Sequence, residues 1–214
     1  MCPSTEPGAP AGAFRTSCGL EVGGQISPVF PILMPADWQH PPTQVCRPLI
    51  VGPQLPGIPQ VALAYLMWEQ SPGADTFYIR TERVKAISKT VADFEQEALH
   101  NLALRPASWG VMEPAPGARL AICANDALAA ERILDGAFIR EAQELLDTDS
   151  LMVAIPARGQ LLATPLAPFV KGERHATVFK AMARQCHDAA GERGITTGMF
   201  IMIKGVMNSM AEYG

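Results

Sequence analysis

Side chains with reactive potential are few in this chain and widely spaced. Cys186-His187 is the only adjacent nucleophile–base pair. Consecutive helical positions point about 100° apart, so on a helix these two side chains do not meet as a dyad. Cys186 shares an apolar stripe with Ala176, Phe179 and Ala183 and is expected to be a structural thiol. The four histidines (His40, His100, His175, His187) have no partner four residues on. His175 and His187 lie roughly 18 Å apart on one expected helix. No metal centre is expected from that spacing. The glycines form neither a GxxxxGK loop nor a GxGxxG turn, and there is no GxSxG elbow, so no cofactor is expected. Glu95, Glu97, Glu141, Glu144, Asp147 and Asp149 fall on polar helix faces or ends and read as solvated surface.

Two residues remain as candidates for binding, Arg158 and Asn101. Apolar runs at 150–155 and 161–164 flank Pro156-Ala157-Arg158-Gly159, the pattern of a buried β-hairpin. Pro156 ends the first strand because it cannot donate to a ladder, and Gly159 can take the positive φ of a tight reversal. Arg158 is thereby left at the tip as an exposed cation. It is either a solvated charge or an anchor for a carboxylate or phosphate on a partner. Asn101, near a helix end, is of the type that most often bonds backbone there.

The elements that position these residues follow from periodicity. The runs 61–68 and 76–80 read as a strand pair around the turn 71–75. Thr81 can cap a short helix through 87. Thr90 and Asp93 resemble a capping box before Val91, Phe94, Ala98, Leu99 and Leu102, which recur at helical spacing until Pro106. A second strand pair is expected at 109–113 and 119–124. Helices follow at 126–134 and 137–146, the second capped by Asp135, with Phe138, Ala142, Leu145 and Leu146 as its apolar stripe. After the hairpin come a helix over 173–190, closed by Gly191, and a last strand at 198–204. Strand pairs separated by helices imply an α+β fold, an antiparallel or mixed sheet covered by helices.

With 214 residues, 48% of them hydrophobic and 18% charged, the chain has ample material for a core. Residues 1–25 read as a flexible leader and 26–214 as a single α+β domain. Within that domain, 26–59 is a proline-rich extended segment, its apolar runs at 26–34 and 49–51 suited to edge strands, and 60–204 is the core. A net charge of −4 without basic runs argues against nucleic acid. No stretch is apolar enough to suggest a membrane span, and no secretory signal is recognisable at the N-terminus. Five scattered cysteines without CxxC spacing fit reduced thiols and a cytoplasmic location.

From about residue 60 to 204 the order of elements resembles the YtpQ-like family of uncharacterised bacterial proteins. The matching pieces are Ala98-Leu99-His100-Asn101-Leu102 and Met152-Val153-Ala154-Ile155-Pro156-Ala157-Arg158-Gly159-Gln160-Leu161. Gly159 stands where the family carries an acid after the arginine. The resemblance implies an α+β cytoplasmic protein and brings no activity with it.

Three functions fit these observations. The first is a non-enzymatic module that binds a protein partner, or a second copy of itself, through strand edges and the methionines Met199, Met202, Met207 and Met210. The second is an enzyme or small-ligand binder whose site joins Arg158 to an acid from 126–147. The third is an accessory protein of the immunity type, which neutralises a toxin.

Overall fold

The computed structural model describes residues 19–22, 25–35, 38, 46–49, 61–67, 77–78, 90–124, 126–171 and 173–211. Two antiparallel sheets with helices packed against them make an α+β fold. The larger sheet contains β6 (Gly110–Met112), β7 (Leu120–Cys123), β8 (Ser150–Ala154), β9 (Leu161–Pro165), β10 (Met199–Ile203) and β11 (Val206–Ala211). Its order is β11-β10-β8-β9-β7-β6. β8 and β9 pair as the expected hairpin, Leu151 opposite Pro165 and Ala154 opposite Leu162.

Both faces of this sheet are covered, which explains why its central strands read as unbroken apolar runs. Leu151, Val153 and Ile155 point into one cluster with Leu161, Ala163, Phe200 and Met202. Their neighbours Met152 and Ala154 point the other way, with Leu120, Leu162 and Met199. On the first face lie α2 (Gly136–Leu145), through Phe138, Ile139 and Ala142, and α1 (Val91–Leu104), through Phe94 and Ala98. On the second lies α4 (Arg174–Ala190), through Phe179 and Ala183. A short α3 (Ala167–Val170) leads into α4.

The smaller sheet is built around β2 (Gln25–Met34) and β4 (Ala62–Met67), with β1 (Gly19–Val22), β3 (Cys46–Pro48) and β5 (Phe77–Tyr78). β1 ladders with 25–28 of β2 and β4 with 29–34. Among the described residues each half of β2 therefore has one laddered side, and a strand carrying Pro28 and Pro31 tolerates that arrangement. Val29, Leu33, Val61 and Leu63 join the first-face cluster, so the two sheets share one core.

The structure corrects several expectations. Residues 19–22, assigned to a flexible leader on their glycines, form β1, because Leu20 and Val22 alternate with Gly19 and Glu21 at the strand period. The expected helix over 126–134 is a turn followed by a 3₁₀ segment, Ala130–Leu134. Leu145 is 43% exposed, and Ile139 takes its place in the core. The last strand does not end the chain's ordered pairing: Lys204-Gly205 reverses it into β11. The Thr90–Asp93 capping box and the Asp135 cap form as the sequence implies. The helix expected over 81–87, the turn at 71–75 and most of residues 1–25 lie outside the described residues.

Lys204 and Gly205 both have positive φ, 49° and 77°, the backbone of a two-residue hairpin turn matched to strand twist. A Cβ on Gly205 would come within 2.5 Å of the Gly136 carbonyl oxygen, which is backbone and cannot swing away. Gly205→Ala is therefore expected to destabilise the protein by about 2 kcal/mol or more, from backbone strain and contact together. Thermal denaturation reads this, and an unchanged midpoint would contradict it.

Candidate functional site

The tip of the β8–β9 hairpin is fastened to the segment after α4. Arg158 N donates to Arg193 O (3.0 Å), Ile195 N donates to Pro156 O (2.9 Å), and Ala157 and Gly194 form an antiparallel bridge. Gly159 takes φ 73°, and a Cβ there would stand 3.4 Å from the Asp126 carbonyl oxygen. These ties bring the tip beside the turn at 126–134 and the end of β2.

Arg158 is consequently half-buried, whereas an exposed position was expected. Its Nη2 donates to Met34 Sδ at 2.9 Å, a weak acceptor for a guanidinium. Glu131, from the 3₁₀ segment, is 1% exposed. Its Oε1 accepts from Leu33 N at 3.0 Å, while Oε2 has no hydrogen-bond partner among the described residues. Burial pushes the Glu131 carboxyl up to about 7. The bond from Leu33 N, the N–H of Glu131 itself and, less strongly, the Arg158 charge oppose that rise, and the Asp126 charge adds to it. Within 126–147, Glu131 is the acid on which the Arg158 charge acts. Its identity depended on a fold contact that no short-range spacing shows.

Around Asp126 runs an ionic network that is largely buried. Arg105 Nη2 lies 2.9 Å from Asp126 Oδ1. Arg132, 2% exposed, lies 3.7 Å from Asp126 and 3.4 Å from Asp135, and donates to the Arg105 carbonyl. Its guanidinium also sits 5.3 Å from the Phe138 ring centroid. Asp126 Oδ1 accepts from Leu128 N as well, which fixes the turn.

On the solvent side of Arg158 is a groove of about 660 Å³ between the hairpin tip and the end of α4. Arg158 and Arg193 supply its charge, Gln160 and Gln185 supply amides, and Ala157, Ala189 and other small residues complete the lining. Among the described residues, no carboxylate lines it. Cys186 reaches the groove, half-buried, and desolvation holds its thiol above the ordinary range, so it is protonated at neutral pH.

Asn101, the other candidate, is 4% exposed, and its Nδ2 donates to Val29 O at 3.0 Å. It ties α1 to β2 and does not line the groove. Of the four methionines, Met199 and Met202 are core residues, while Met207 and Met210 are partly buried against the core. A second cavity, about 630 Å³, carries both signs of charge, with Arg140 and Lys204 facing Glu144, Asp147 and Asp149. Sequence reasoning missed one further pair, Thr164 Oγ1 and His175 Nε2 at 2.6 Å. Thr164 is wholly buried and also bonds Arg119 O, so this contact is a tie between β9 and α4. Among the described residues, no three His, Cys, Asp or Glu side chains gather as a metal-binding group, and no helix is long and apolar enough to cross a membrane.

No family model, curated protein or solved structure matches the chain.

Proposed function

We propose that this protein is a non-enzymatic, cytoplasmic binding module of YtpQ-like type that receives a segment of a partner protein in the groove beside Arg158. The observation that carries the reading is the groove itself: two arginines and two glutamines among small residues, braced by main-chain bonds between the hairpin tip and the segment after α4. Small side chains let an extended backbone approach closely, and guanidiniums fix its polar groups with directional bonds. The protonated Cys186 thiol is a poor nucleophile, which favours recognition over covalent chemistry at this place.

The test blocks the groove without touching the core. Ala189 is exposed, and Ala189→Trp is expected to fill the groove while leaving the thermal midpoint unchanged. Selection from a random heptapeptide library should enrich sequences that the wild-type chain retains and the blocked variant does not. Equal retention by both would count against the groove. A second reading, small-ligand binding, is favoured by the volume, which lies within the range of small-molecule sites. Succinate binding as tightly as the enriched peptides would support that reading and overturn the first.

A further inference from the structure

Resting on that reading, we infer that the occupant of the groove is an acidic segment whose carboxylate pairs with Arg158, and that its capture transfers one proton from solvent to Glu131. Arg158 faces two ways. Its side chain lines the groove, yet its Nη2 is directed inward to Met34, the residue after Leu33, whose N–H bonds Glu131. The inward arrangement is poorly satisfied. The guanidinium donates to a thioether sulfur, and Glu131 Oε2 has no hydrogen-bond partner among the described residues. A carboxylate arriving from the groove would offer the planar, two-oxygen acceptor that a guanidinium matches.

The cost of turning Arg158 outward falls on Glu131. Two described groups act on that carboxyl by charge, Arg158 from the hairpin tip and Asp126 from the preceding turn. Arg105 and Arg132 are engaged by Asp126, while the Leu33 N–H of β2 and the N–H of Glu131 itself favour the ionised carboxyl. Once Arg158 is neutralised by the ligand, a buried carboxylate beside Asp126 loses its favourable countercharge and takes up a proton. The group already titrates near neutrality, at about 7, so the uptake falls in an accessible range. Binding and proton uptake are linked, and affinity therefore rises as pH falls.

The experiment is calorimetric titration of the full chain with acetylated, amidated (Ser-Glu)3 and its neutral (Ser-Gln)3 counterpart, at pH 6 and pH 8, in buffers of differing ionisation enthalpy. The acidic peptide is ionised at both values. Its Kd should be up to about tenfold lower at pH 6 than at pH 8, with uptake of up to about three-quarters of a proton near pH 7.5. Glu131→Gln should bind with equal affinity at the two values and take up none. Arg158→Ala should lose most of the affinity. Proton uptake by the wild-type chain needs no variant, so a poorly folded substitution does not blunt the test. Binding without uptake or pH dependence overturns the coupling alone. Equal binding of the neutral peptide overturns the acidic occupant. No binding of either peptide, together with an empty library selection, overturns the binding reading itself.

Discussion

Glu131→Gln is expected to remove a loss of stability that the wild-type protein suffers between pH 5 and pH 8. The native carboxyl titrates at about 7 against an ordinary value of 4.5. Between those values the native state binds more protons than the unfolded state, so stability falls as pH rises. The penalty is absent below about 4.5 and complete above about 7, where it amounts to about 3 kcal/mol. Glutamine keeps an oxygen for the Leu33 N–H and carries no charge to bury. His175 titrates in an overlapping window with the opposite sign, since burial lowers its value and its contribution is lost as pH falls. The informative quantity is therefore the difference between variant and wild type across the pH series, measured by urea denaturation, in which His175 cancels. A difference that stays constant from pH 5 to pH 8 would refute the claim.

Arg132→Ala should be the more damaging substitution at any neutral pH. Arg132 is 2% exposed and holds Asp126, Asp135 and the Arg105 carbonyl at once. Removing it leaves Asp126, itself 7% exposed, with Arg105 as its remaining cation among the described residues. Breaking a buried ion pair from one side costs about 3–5 kcal/mol, because the surviving charge stays desolvated. In a chain of this size that lowers the thermal midpoint by roughly 10 °C. Arg132→Met retains the packing on Phe138 and should recover part of the loss. If alanine and methionine behave alike and both stay near wild type, the network contributes little and Arg132 serves mainly to fill space.

The two substitutions probe neighbouring layers of one arrangement. Asp126 lies between them: its carboxylate closes the ion network below and its charge raises Glu131 above. Its main-chain oxygen lies beside Gly159 at the hairpin tip. The turn at 126–134 thus connects the larger sheet to β2 through polar contacts as well as apolar ones.

The α+β class, the hairpin and the helix caps were legible in the sequence because each depends on neighbours within a few residues. Period-2 apolar alternation was masked in β8 by burial of both faces, yet Pro156 and Gly159 still marked its end. Thr90 and Asp93 declared the start of α1 at a spacing of three. Arg158 could be singled out as a tip residue by the same local logic. What surrounds it could not, since Met34 lies 124 positions away and the Leu33–Glu131 bond spans 98. Glu131 carries no local mark of its setting in the run 126–134, and the packing of β2 against the 3₁₀ segment is what buries it and raises its titration. Tertiary structure also decided the fate of Asn101, which spans 72 positions to Val29. Local sequence sets backbone dihedrals and caps through short-range sterics and hydrogen bonds. The electrostatic character of a buried group is set by whichever distant segments close around it.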